Sequence, residues 1–199
     1  MIRRLLLASA TLLAFVLVVP VAAQAQSIFV LAGAGFLSSD HLEFDAGLFT
    51  AGGVAFDIGD SGLWAGAEVS YGTSNIPDQT DSDGDVWTNS DAKLKQLGIM
   101  GFLGYSFSTA GNVSPYVFAG AGSINVDFSG MADINGFTLD TGDFGSESEF
   151  GYQVGGGLTL GNEESKVRPF VEARYEGVGG EVDATIVAAS LGASIGLGN

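Results

Sequence analysis

The side chains with the clearest chemical potential lie at every second position of short segments otherwise built from apolar and small residues. Glu172, Arg174 and Glu176 alternate with Val171, Ala173 and Tyr175, so in a strand the three charges share one face. Glu68, Gln96 and Gln153 occupy the corresponding polar face of three other segments. A guanidinium among carboxylates admits two readings. It exchanges partners and gates a narrow water path, or it is a fixed plug whose charges pair because buried charge must. The plug is favoured where strands enclose an interior only wide enough for side chains to fill.

A second constellation is Asp81-Ser82-Asp83-Gly84-Asp85, with hard oxygens at Asp81, Asp83 and Asp85 and a glycine at a tight turn. Alternating carboxylates resemble part of a calcium loop, but the twelve-residue frame fails. From Gln79 its first ligand is an amide, and its last position is Ser90 instead of a bidentate Glu. A solvated acidic loop, or diffuse Ca²⁺ or Mg²⁺ bridging to external phosphates, fits as well. Lys93 and Lys95 stand nearby to meet such phosphates directly or to serve as ordinary rim charges. His41, the sole imidazole, follows Ser38, Ser39 and Asp40. A hydroxyl nucleophile needs a base within reach, and His41 is the imidazole that would serve as one. Nothing in the sequence supplies the rest of a triad, and an incidental loop histidine is the plainer reading.

The elements that position these residues follow from composition and period. The chain has 199 residues, 31 glycines, no cysteine, and seven basic against 23 acidic residues. Absent cysteine excludes disulfide frameworks and thiolate chemistry. A net charge of −16 argues against nucleic-acid binding, which needs clustered Lys and Arg. With 46% hydrophobic and only 15% charged residues, the chain is not an acidic disordered polymer.

Residues 1–25 read as a cleaved signal peptide. Arg3 and Arg4 precede the apolar run Leu5–Val19, and Ala23-Gln24-Ala25 presents small residues before the processing point. The run is short for a membrane-spanning helix, which needs about 20 residues. Cleavage after Ala25 leaves residues 26–199 as one domain, with five basic and 23 acidic residues and a formal charge of −18.

Beyond Ala25, period-two alternation predicts eight strands, approximately 27–36, 48–56, 63–71, 92–107, 114–126, 149–160, 167–176 and 183–197. About 22 residues per strand and connection suits a meander without crossover helices. One face is apolar: Leu63, Ala65, Ala67, Val69 and Tyr71 oppose Trp64, Gly66, Glu68 and Ser70, and Val187, Leu191 and Ile195 oppose Ala188, Ser190 and Ser194. A soluble sandwich alternates too. A membrane barrel, apolar outside and small or polar inside, is favoured by aromatics at strand ends (Tyr71, Tyr105, Phe107, Phe150, Tyr152, Tyr175) and by connections that alternate long and short. Backbone groups in lipid must all pair, which a closed barrel achieves. The stretch 128–144 carries Phe128, Phe137 and Phe144 among glycines and admits an extra pair of strands beyond the membrane.

The segments Ser114–Gly122 (SPYVFAGAG), Phe150–Gly157 (FGYQVGGG) and Arg168–Tyr175 (RPFVEARY) resemble strands of the small outer-membrane β-barrel family, the OmpA/OmpX-like group. The resemblance covers residues 26–199. It implies an all-β fold, an eight-stranded antiparallel up-and-down transmembrane barrel in the cell outer membrane of a Gram-negative bacterium, with the N-terminus in the periplasm. Members usually end in an aromatic residue read by the outer-membrane assembly machinery, and this chain ends Leu197-Gly198-Asn199, so Leu197 is expected to substitute. No peptidoglycan-binding domain is expected after the barrel.

Sixteen of the 23 acids fall in the four long connections or on the first strand residue after them, with no Lys or Arg among them. The expectation is therefore a monomeric, non-enzymatic surface or structural protein with acidic extracellular loops, in contact with outer-membrane lipids and lipopolysaccharide. A low-conductance porin for small solutes is the alternative, and a lipid-modifying enzyme the second. No cofactor is expected beyond Ca²⁺ or Mg²⁺ at the acidic loops.

Overall fold

A computed structural model describes residues 26–39, 44–80, 83–88, 91–109, 111–140, 146–162, 165–179 and 184–197. The expected processing site at Ala23 and Ala25, together with Asp81 and His41, lies outside these described residues.

The strands, in chain order, are β1 (Gln26–Ser39), β2 (Gly47–Asp57), β3 (Leu63–Asn75), β4 (Gln79–Thr80), β5 (Val86–Thr88), β6 (Lys93–Ser106), β7 (Val113–Ser129), β8 (Met131–Ile134), β9 (Phe137–Asp140), β10 (Ser146–Leu160), β11 (Val167–Gly179) and β12 (Ala184–Gly196). Eight of them form a closed barrel in the order β1-β12-β11-β10-β7-β6-β3-β2. Every pairing is antiparallel, and β1 closes on β12 from Ser27↔Gly196 to Ser39↔Ala184. The predicted meander is thus the observed one.

Alternation explains the faces. Val30 (58% exposed), Leu103 (59%) and Leu191 (69%) point outward in a continuous apolar band, which only a lipid environment accommodates at this extent. Aromatics border the band at both rims. Tyr105 and Phe107 meet edge-to-face at 5.0 Å near the short turns, and Tyr152 and Tyr175 lie 6.2 Å apart toward the long loops. The short turn after β2 places Gly59 and Gly62 at positive φ, +62° and +79°, a conformation other residues adopt at a cost.

Several strands run past their expected ends, all at the long-loop end: β1 to Ser39, β3 to Asn75, β7 to Ser129, β10 from Ser146 and β11 to Gly179. Above that rim stands a second sheet, ordered β4-β5-β8-β9. The hairpin β8–β9 supplies the extra pair anticipated within 128–144. Its turn is Asn135-Gly136, with φ of +53° and +83°, the pattern of a two-residue hairpin turn whose twist matches its strands. Strands β4 and β5 are not foreseen by the sequence, because two and three residues show no period. The two hairpins are pinned together: Asn135 Nδ2 donates to Asp85 Oδ1 at 2.7 Å, and the backbone amide of Val86 donates to Asn135 Oδ1 at 2.8 Å. Ile76, Trp87 and Ala92, with Phe44, Phe128 and Ile134 against them, form a small apolar core between this sheet and the barrel.

Candidate functional site: the filled lumen

The lumen is layered along the barrel axis. Toward the long loops the inward positions are apolar, with Phe49, Leu94, Ile124, Val126, Val178 and Ile186 buried in one cluster. Strand alternation puts them there. Leu94 precedes Gln96 by two residues on the same face of β6, and Val178 follows Glu176 by two on β11.

At mid-barrel the structure brings Glu68, Gln96, Gln153, Glu172, Arg174 and Glu176 together. All but Glu172 are almost wholly buried, and Glu172 is partly so. Arg174 is the hub. Its Nε donates to Glu172 Oε1 at 2.8 Å and its Nη2 to the same oxygen at 2.5 Å. Nη1 donates to Glu68 Oε1 at 2.5 Å, to Gln153 Oε1 at 3.1 Å and to Glu176 Oε1 at 3.2 Å. Nη2 also reaches Glu68 Oε2 at 3.3 Å. The remaining carboxylate oxygens are capped as well: Gln96 Nε2 donates to Glu176 Oε2 at 3.0 Å, and Tyr116 Oη to Glu172 Oε2 at 2.8 Å. The guanidinium stands over the rings of Phe49 and Phe118, 5.2 and 5.3 Å from their centroids, an attractive arrangement for a desolvated cation. The network thereby ties β3, β6, β7, β10 and β11 together around one side chain. Gln153 Nε2, Ser70 Oγ and Ser190 Oγ are buried without a partner among the described residues.

Toward the short turns the lumen becomes aromatic, which the sequence pattern does not announce. The small and polar residues of the inward face suggest an interior lined mainly with Gly and Ser. Instead Trp64 packs edge-on against Phe102 (centroids 5.4 Å) and Tyr116 (6.0 Å), Tyr116 meets Phe170 at 6.4 Å, and Phe29 meets Phe102 at 5.9 Å. Glycine and ring are complementary here. A Cβ at Gly104 would strike Trp64, one at Gly66 would strike Phe102, and one at Gly192 would strike Phe170. Each ring lies across a glycine of a neighbouring strand, so the glycines make room for large side chains and do not hollow the barrel out. Strand period alone assigns Trp64, Phe102, Tyr116, Phe118 and Phe170 inward; their residue type draws attention to the lipid face instead. Between these rings and the network lies a cavity of about 110 Å³, reaching Ser27, Ser106, Thr159 and Ser194 at the strand ends of the short-turn rim.

The other predicted positions behave differently. Asp83 and Asp85 lie between β4 and β5, and Asp85 accepts the Asn135 amide described above. Among the described residues no three His, Asp or Glu side chains converge as metal ligands. Lys93 and Lys95 begin β6 at the long-loop rim, opposite Ser129 and Asp127 of β7.

The fold and the lumen define an eight-stranded transmembrane barrel with a packed interior. The chain belongs to the outer membrane protein beta-barrel domain family, whose model matches residues 11–194; the match begins inside the segment read as a leader. It is accordingly an outer-membrane protein. No curated protein matches it. Among solved structures it is similar to a major outer membrane protein from Thermus thermophilus, at 13% identity over 87% of this chain and 100% of that one, TM-score 0.50. It is also similar to Ail, the attachment invasion locus protein of Yersinia pestis, at 15% identity over 87% and 99%, TM-score 0.49. The outer membrane enzyme PagL matches at 19% identity over 84% and 98%, TM-score 0.47. At these identities the likeness is one of fold.

Proposed function

We propose that this protein is a non-enzymatic, non-conducting surface and structural component of the outer membrane, acting through the acidic loops and small sheet at its long-loop end. The observation that carries this reading is the Arg174 network. One guanidinium holds three carboxylates from β3 and β11, all their oxygens accept hydrogen bonds, and an apolar layer lies directly above. A water path through mid-barrel would require parting several charge-assisted bonds at once. The fixed plug, not the exchanging gate, follows from that mutual satisfaction.

Lipopolysaccharide is the partner best matched by the rim. Lys93 and Lys95 recur at alternate positions of β6 on its lipid-facing side, where their ammonium groups are placed to meet phosphates, directly or beside bridging Ca²⁺ or Mg²⁺. The protein acts as a monomer that reaches the membrane through the assembly machinery.

The deciding experiment is solute flux in liposomes and single-channel recording in planar bilayers, with the native chain beside Arg174→Ala. The expected result is no flux of small sugars and a flat baseline for both. Steps in the native protein whose open time changes with Arg174→Ala would replace this reading with the low-conductance pore.

A further inference from the structure

From the cavity at the short-turn end we infer a binding site for a small organic cation of the alkylammonium type, entered from the periplasmic side. Three observations converge on it.

The first is shape. A cavity of about 110 Å³ is of the order of the roughly 150 Å³ engineered cavity that accepts benzene, and a tetramethylammonium ion is of comparable bulk. The ceiling is closed by the Arg174 network, so the site is a dead end opening toward Ser27, Ser106 and Ser194.

The second is the wall. Trp64, Phe102, Tyr116 and Phe170 all line the cavity, and their edge-to-face packing turns ring faces in more than one direction. Ring faces attract cations, Trp most strongly, and such cages are how alkylated ammonium groups are recognised. Arg174 stands over the rings of Phe49 and Phe118, and Phe118 borders the cavity together with Phe29.

The third is charge. Asp57, Glu68 and Glu172 line the cavity with Arg168 and Arg174, and Glu176 stands just behind, bound to Arg174. Three carboxylates thus line the cavity against two guanidiniums, a formal excess of one negative charge in a low-dielectric pocket. A neutral apolar guest gains nothing from that field, an anion is repelled, and a soft cation with little hydration gains from both field and rings.

This inference rests on the closed mid-barrel for its ceiling alone, and its test reads binding and not conduction. Its test uses the protein extracted from membranes in detergent. The chain holds two tryptophans, and Trp87 lies in the small outer core, so Trp87→Phe leaves Trp64 as the sole reporter inside the site. That variant is titrated with tetramethylammonium chloride at constant ionic strength, against sodium chloride and against tert-butanol as a neutral guest of similar bulk. The expected result is a saturable change in Trp64 emission with tetramethylammonium alone, weakened at least tenfold by Glu172→Gln. A linear response, or an equal response to tert-butanol, overturns the site. Should Glu172→Gln fail to fold, Ser194→Met fills the mouth without touching the network. It is expected to abolish the saturable response, and unchanged affinity in that variant overturns the proposal as surely.

Discussion

Two layers of the lumen are filled by opposite means. At mid-barrel, beneath the apolar layer, charged groups are matched to donors, and Arg174 with its three carboxylates leaves no carboxylate oxygen without one. Toward the short turns, large rings are seated on glycines and enclose space. The first layer is specific because each carboxylate oxygen has a named donor at a fixed distance. The second is specific because ring and missing Cβ interlock across strands. Charge satisfaction closes a barrel; aromatic packing on glycine leaves room at the angles between rings. The contrast teaches that a narrow barrel need not be uniformly plugged, and that its closed layer and its accessible layer sit one above the other.

The largest perturbation should come from the hub of the charged layer. Arg174→Ala leaves Glu68, Glu172 and Glu176 buried together without a counter-charge, and losing one partner of a buried pair costs about 3–5 kcal/mol. Urea unfolding in lipid vesicles should register a loss of that order; a loss near zero would show that the network is not what holds mid-barrel together. In the aromatic layer, Gly104→Ala drives a methyl into Trp64, and overpacking costs about 1–3 kcal/mol. The same measurement, with a shift in Trp64 emission, checks it. If Gly104→Ala proved the more damaging of the two, the ranking of the layers would be reversed.

Tyr116 belongs to both layers, since its ring lines the cavity and its hydroxyl caps Glu172. Tyr116→Phe keeps the ring and removes one hydrogen bond to a carboxylate, worth about 1.5–3 kcal/mol at most, because Glu172 Oε2 can take a donor from water in the adjoining cavity. A destabilisation at the bottom of that range or below it is expected by urea unfolding. The smallest effect on the barrel should follow Asn135→Ala, which unties Asp85 and Val86. Amide hydrogen exchange should rise across β4, β5, β8 and β9 while the barrel strands keep their protection.

Much of the barrel is legible in the residues alone. Outward Val69, Leu103 and Leu191 and inward Glu68, Gln96 and Glu172 sort by strand period, and the count of alternating segments sets the number of barrel strands at eight. The six polar lumen residues could be named because a long polar or charged side chain at a period-two position opposite an apolar face has nowhere to go but inside. Their bonding could not. Glu68 and Arg174 are 106 residues apart, and Gln96 and Glu176 are 80 apart; only barrel closure and the stagger of neighbouring strands bring such pairs to one level. The aromatic layer is hidden for a related reason. Trp64 and Phe102 show their face by parity, but the fit of each ring over a glycine depends on a neighbouring strand's register, which no local pattern records. Likewise β4 and β5 are too short to carry a period, and they exist because β8 offers them an edge.

What the sequence determined by itself was therefore the class of solution: an apolar outside, a small and polar inside, a barrel closed because lipid offers no partner to a bare strand edge, and an acidic end set by where the Asp and Glu residues fall. What only the tertiary structure decided was the order of layers within the lumen. Faces follow from the two-residue period of a single strand, whereas heights along the axis follow from the register of eight strands at once. It is height that brings Glu68 to Arg174, whose own strand already supplies Glu172 and Glu176, and leaves Trp64 beside open space.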